Sequence, residues 1–288
     1  MSAYRFCRTD DIALLADALN HCWSPYFPDD PPMTPAAFKR SIRDLQVWCS
    51  SCMVAFAGSD PIGVLIGAKR PTGTLVHRIA VHPDHRRQGH GRHLLASLGS
   101  KLAILGPRRI LAEVPDTFAA ACQLFDATGF VREGLLTDYV CERDAQDVGQ
   151  AVGTTGPAFV IPVTIDDLAA NGLLADAHAP VCWARGAESL TARKDEIAGL
   201  AIATDERIEA FILYIERDAE TEIVSLRSLV DDGGALLNRL LGRLPARDMA
   251  TLRFSKVAPA EISPTCLEAL GFRAAARYVL YAADARPD

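Results

Sequence analysis

The sequence predicts an α/β (α+β) fold in two lobes, on three observations. Residues 74–105 read as a strand, a glycine-bearing loop and a helix. The same order of elements returns in the second half of the chain. Between the halves, Cys141 to Gly156 is polar, has no hydrophobic periodicity and ends Gly-Thr-Thr-Gly-Pro. Together these divide the chain into a first domain at 1–142, a linker at 143–157 and a second domain at 158–288.

In the first half, Tyr4–Phe6 suits a short strand. Thr9 or Asp10 can cap a helix with Ile12, Leu15, Ala16 and Leu19 on one face. A proline-rich aromatic loop follows from Trp23. Thr34-Pro35 opens a second helix, with proline at its first position and Phe38, Ile42 and Leu45 on one side. Met53–Ala57 and Ile62–Ala68 read as a hairpin across Gly58-Ser59-Asp60-Pro61. Thr74–Val81 is β-branched and apolar, and HPDHRRQGHG follows it. Leu94, Leu95, Leu98, Leu102 and Leu105 then recur at helical spacing until Gly106-Pro107. Ile110–Val114 reads as a strand, Asp116 or Thr117 can cap the next helix, Gly129 closes it, and Gly134–Tyr139 reads as a late strand.

The central loop has a physical use. A helix N-terminus presents unpaired N–H groups and about half a positive charge. Glycines let the backbone curl around an anion, and Arg86, Arg87 and Arg92 add full charges. In order, Arg86-Arg87-Gln88-Gly89-His90-Gly91 resembles the (Gln/Arg)-x-x-Gly-x-(Gly/Ala) signature of the GNAT acetyltransferases. Ile79-Ala80-Val81-His82-Pro83 looks like the end of that family's fourth strand. Val114 to Phe130 is similar to its fifth strand and following helix, V-x-P-x-N-x-x-A-x-x-L-Y-x-x-x-G-F. The resemblance covers roughly residues 1–140.

It implies lobes built on a central mixed, mostly antiparallel sheet flanked by helices, and an acyl-CoA-dependent N-acyltransferase that moves acetyl from acetyl-CoA to a primary amine by direct attack. The alternative it leaves is a catalytically weak or inactive acetyl-CoA-binding regulatory or scaffold protein. Carried over residue by residue, the cofactor contacts are Ile79, Ala80 and Val81 through main-chain groups, then Arg86, Arg87, Gln88, Gly89, His90, Gly91, Arg92 and Phe125. Trp23, Tyr26 and Phe27 fall where the family lines its acceptor side. Two departures stand out: the family's Tyr position is Phe125, which cannot donate a proton, and its Asn position is Phe118. For the base, His77 matches a fourth-strand position that often carries Glu, and Glu113 is the alternative. Tyr139, on the late strand, is a further candidate. Alternation places His77, Ile79 and Val81 on one face and Val76, Arg78 and Ala80 on the other.

The second half repeats the pattern: a strand at Phe159–Val163, a helix at Ile165–Leu174, a hairpin of Leu200–Thr204 with Ile208–Ile215, then Glu222–Val230, Asp231-Asp232-Gly233-Gly234 and a helix at Ala235–Leu244. Leu252–Val257, Ser263–Leu270, Gly271-Phe272 and Tyr278–Tyr281 complete it. Leu124-Phe125-x3-Gly129-Phe130 compares with Cys266-Leu267-x3-Gly271-Phe272. This is similar to a second, degenerate GNAT lobe. Two carboxylates at the helix N-terminus repel a diphosphate and occupy its amides, so no CoA is expected there.

Charge and composition limit the partners. Residues 1–150 hold 16 basic and 16 acidic side chains, and residues 151–288 hold 14 and 20, which argues against nucleic acid. No apolar run spans a bilayer and the N-terminus lacks a signal-peptide core, so the expectation is a cytoplasmic protein that does not engage membrane. Eight scattered cysteines are expected reduced. The histidine spacing in 77–93 suits no common zinc motif, so no metal is expected. The partners expected are acetyl-CoA and an amine-bearing small molecule or peptide, with a homodimer allowed for.

Overall fold

The computed structural model describes residues 2–143, 159–174, 181–217, 220–244 and 250–286. The linker expected at 143–157 lies, apart from Arg143, outside them. Two compact units emerge: one takes in the chain up to Gly134 and again from Val279, and the other runs from Leu135 to Tyr278. The linear reading placed one division, at 142–158. The compact units divide the chain twice, because the first contains the C-terminal strand and the second contains most of the strand after Gly134.

In the first unit the elements are β1 (Ser2–Phe6), α1 (Ile12–Trp23), α2 (Pro35–Leu45), β2 (Met53–Ala57), β3 (Asp60–Arg70), β4 (Gly73–Val81), α3 (His90–Leu105), β5 (Arg109–Pro115) and α4 (Ala119–Asp126). The strands lie in the order β1-β2-β3-β4-β5, followed by the last residues of β12 (Arg273–Asp284). β1 to β4 are antiparallel, and β4 with β5 is parallel. The leucine stripe of α3 does what its spacing predicts. Leu94, Leu95, Leu98 and Leu102 are buried with Val76, Ile110, Ala112, Val114, Phe125 and Tyr281.

Local signals explain the helix ends unevenly. Thr34 Oγ1 accepts from the Ala37 N–H at 3.1 Å with Pro35 at the first position, as expected. Ahead of α1, neither Thr9 nor Asp10 caps. Asp11 is the cap residue, and its carboxylate instead accepts from the Arg8 N–H and from Arg5. α4 starts after Phe118 with no side-chain cap, so the expected roles of Asp116 and Thr117 are not taken up.

In the second unit the strands run β6 (Val131–Arg143, from Leu135), β11 (Ala250–Val257), β10 (Glu220–Ser228), β9 (Ile208–Glu216), β8 (Ala198–Ala203) and β7 (Phe159–Pro162). Helices α5 (Ile165–Ala170), α6 (Ala187–Ala192), α7 (Ala235–Leu241) and α8 (Pro264–Ala269) accompany them. The repeat of the first unit extends to details. β4 bulges on β3 at His77, between the pairs Ile66↔Arg78 and Gly67↔Val76. β10 bulges on β9 at Val224, between Tyr214↔Ile223 and Leu213↔Ser225. Gly89 before α3 and Gly234 before α7 have φ of 88° and 89°. Phe130 N–H bonds to the Phe125 carbonyl at 3.2 Å, and Phe272 N–H to the Leu267 carbonyl at 2.9 Å.

All eight cysteines are free thiols. Burial pushes Cys7 and Cys22 up to about 12, far from thiolate at neutral pH. No helix among the described residues is long and apolar enough to cross a membrane.

Candidate active site

β4 and β5 diverge. They pair only at Thr74↔Ile110 and Leu75↔Leu111, so the β5-facing edge of β4 from Val76 to Val81 has no strand beside it among the described residues. Such an edge offers backbone donors and acceptors to an extended amide-bearing ligand. Ile79, Ala80 and Val81 lie along it. The Val81 carbonyl already accepts from the Tyr26 hydroxyl at 2.7 Å, which ties the α1–α2 segment to the end of the strand.

Beyond β4, a 3-10 turn at Pro83–His85 leads into the loop. Arg86, Arg87, Gln88 and Gly89 are exposed. Arg87 takes φ +62° and Gly89 φ +88°, both left-handed. A Cβ built on Gly89 meets nothing within 4 Å, so the space above this backbone is open. Gly91 has a different role: a Cβ there meets Leu124 Cδ2 at 3.1 Å, so glycine lets α3 approach α4 closely. The first turn of α3 has no acidic residue and carries exposed Arg92. Left-handed backbone, open space, a 16-residue helix and arginines suit a diphosphate. His90 enters this loop differently from the arginines. Its ring is buried, with Nδ1 2.6 Å from the Tyr4 hydroxyl, and burial, then His85 and His93, lower its pKa. It supplies a neutral ring and a main-chain N–H.

The acceptor-side candidates come together. Trp23 and Phe27 stack at 4.5 Å, and Phe118 joins Phe27 at 5.1 Å. The Arg78 guanidinium lies 5.0 Å from the Trp23 ring centroid, and the Trp23 indole N–H donates to Asp30 at 3.2 Å. Tyr26 stands apart from this stack, between the Val81 carbonyl and Arg86, whose guanidinium is 5.7 Å from its ring. Sequence reading missed Arg78 and placed Phe118 only as a departure. The aromatic run from Trp23 was the signal for the wall, but nothing local marked Arg78.

Three expectations are corrected. The bulge at His77 breaks the alternation in β4. Val76 and Ile79 both pack into the core under α3, while Arg78 meets Trp23, so His77, Ile79 and Val81 do not form one face by simple alternation. Phe125 is 1% exposed, set between Phe130 at 5.0 Å and Tyr281 at 5.4 Å, so it is a core residue and no cofactor contact. Tyr139 is 5% exposed in the hydrophobic core of the second unit, with Leu236, Leu252 and Leu267, which makes it a core residue. Glu113 alternates with the buried Ala112 and Val114, so it lies on the opposite face of β5 from that core.

In the second unit the corresponding features are closed by the chain itself. Asp232 accepts from the Gly234 N–H at 3.1 Å and the Leu236 N–H at 2.5 Å, taking the amides that α3 leaves available. β10 and β11 pair from Glu220↔Thr251 to Ile223↔Phe254. Beyond that point Arg185, over the Phe254 ring at 4.6 Å, donates to the Lys256 carbonyl and doubly to Glu261. A cavity of about 780 Å³ remains beside α7, lined by Leu226, Leu237 and Ile262 together with Asp231 and Asp232.

Known proteins give the same picture. Residues 14–130 match the Acetyltransferase (GNAT) family. That match falls on the first lobe and covers 117 of the chain's 288 residues. A tandem GNAT protein from the clavulanic acid biosynthesis pathway superposes over 100% of both chains, with TM-score 0.64 and 14% identity. A GCN5-related N-acetyltransferase from Sphaerobacter thermophilus gives 0.66 at 16% identity, covering 99% of this chain and 96% of its own. These matches show that the tandem GNAT fold extends over both lobes. Among curated relatives, the uncharacterized protein ML0378 of Mycobacterium leprae is 33% identical over 121 residues, which are 40% of this chain and 32% of that protein. The chain therefore matches about a third of that relative's length.

Proposed function

We propose that the first lobe binds one acyl-CoA, most simply acetyl-CoA, and transfers its acyl group to a primary amine. The observation that carries the reading is the conjunction of the open, left-handed, arginine-bearing loop at Gly89 with the β4–β5 divergence. Arg86, Arg87, Gly89, Gly91 and Arg92 hold the diphosphate, with His90 contributing its main-chain N–H. Ile79, Ala80 and Val81 hold the pantetheine amides. The amine nitrogen attacks the thioester carbonyl, the C–S bond breaks as the tetrahedral intermediate collapses, and CoA leaves as thiolate. His77 or Glu113 takes the proton the amine sheds. With Phe125 and Tyr139 both buried as core residues, the thiolate takes its proton from water, which a weakly basic leaving group tolerates.

The second lobe does not bind CoA, since Asp232 occupies the helix amides and Arg185 with Glu261 fills the region where β10 and β11 part. The test is CoA thiol release from acetyl-CoA with a panel of primary amines. Amine-dependent release well above hydrolysis is expected. Tight binding without any amine dependence favours the regulatory reading instead.

A further inference from the structure

Arg78 is the one feature of the aromatic wall that apolar packing does not account for. It lies on β4 one residue past the bulge, beyond the last residue that β4 pairs with β5. Its guanidinium is half-buried against Trp23. Among the described residues it makes no hydrogen bond and no ion pair. Asp30 exerts some attraction from a distance, but that carboxylate is exposed and accepts the Trp23 indole N–H. A cation held partly out of water without a hydrogen-bonded anion is costly. A guanidinium held beside a ring presents its donors in a planar fork that matches a carboxylate.

We propose that the acceptor is a primary amine bearing a carboxylate, and that Arg78 selects it. The acceptor's apolar part lies against Trp23, Phe27 and Phe118, and its carboxylate meets Arg78. Phe118 fits this division, because it replaces a polar side chain of the family pattern with one that joins the ring cluster. The inference rests on the acyl-transfer reading above and narrows it to amino-acid-like acceptors with apolar or aromatic side chains.

The experiment compares each acceptor with its decarboxylated twin: phenylalanine with phenethylamine, tryptophan with tryptamine, leucine with isoamylamine. Turnover is followed as CoA thiol release at pH 8. The carboxylate member is expected to have the higher kcat/KM, by on the order of 10- to 100-fold for a charge-assisted bidentate contact, expressed mainly in KM. Arg78→Gln is expected to collapse that ratio towards one, and Arg78→Lys to retain part of it. A purely structural arginine would instead lower both members alike and leave the ratio intact.

Turnover of amines with no preference for the carboxylate overturns this inference and leaves acyl transfer standing. If no amine turns over, calorimetry of the same pairs with CoA-loaded protein decides. Carboxylate-dependent binding lost in Arg78→Gln supports the selection and removes the transfer reading. No binding of either member overturns both.

Discussion

Glu261→Gln destabilises the second unit by about 3–5 kcal/mol, the usual cost of removing one partner from a buried ion pair. The side chains of Arg185 and Glu261 are 4% and 2% exposed, and both carboxylate oxygens accept from the guanidinium. The amide keeps the shape and loses the charge, so Arg185 is left as a buried cation without its carboxylate, beside the Lys256 carbonyl, the Cys182 side chain and the Phe254 ring. Thermal unfolding should show a transition lowered by on the order of 10 °C. Arg185→Met combined with Glu261→Gln should recover part of the loss, because the uncompensated charge is gone. A single variant that melts with the wild type would mean that the pair is not closed off from water and does not fill the β10–β11 region.

Gly89→Glu abolishes acyl-CoA binding while the chain stays folded. The open space above Gly89 accommodates the side chain without a clash, and the left-handed backbone costs roughly 1–2 kcal/mol for a residue with a Cβ. The new carboxylate would stand where the proposed site holds the diphosphate. Like charges in contact cost several kcal/mol, so affinity should fall more than about a hundredfold. Gly89→Ala shares the strain without the charge and should keep most of the affinity. Competition with a fluorescent CoA analogue measures both. If Gly89→Glu binds as tightly as the wild type, the loop is not the anion site.

The second lobe already contains this experiment in natural form. Its Gly234 repeats the φ of Gly89 to within a degree, yet Asp232 reaches back to the Gly234 and Leu236 amides. The fold keeps the turn and fills it from within.

The loop, the α3 stripe and the repeat were legible because each depends on local chemistry. Left-handed glycines, three- and four-residue leucine spacing and a Thr-Pro start are written in neighbouring residues. The bulge at His77 was not, because an extra residue shows only when β4 is aligned on β3, and one such residue is enough to move Ile79 to the face of Val76. Phe125 and Tyr139 misled for a related reason. Phe125 has a position in a family pattern and Tyr139 has one on the late strand, but the environment of each is set by distant chain. Tyr281, more than 150 residues away in sequence, encloses Phe125, and Leu236, Leu252 and Leu267 enclose Tyr139. The short α6 and the turn at Trp183–Arg185 had no periodicity long enough to read, so the partner of Glu261 was invisible in the sequence.

The most direct test of the account is the stoichiometry of acetyl-CoA on the intact chain, by calorimetric titration. One equivalent is predicted, bound at the Gly89 loop of the first lobe. Two equivalents would contradict the closure of the second lobe by Asp232 and Arg185, and no binding to folded protein would contradict the acyl-CoA site itself.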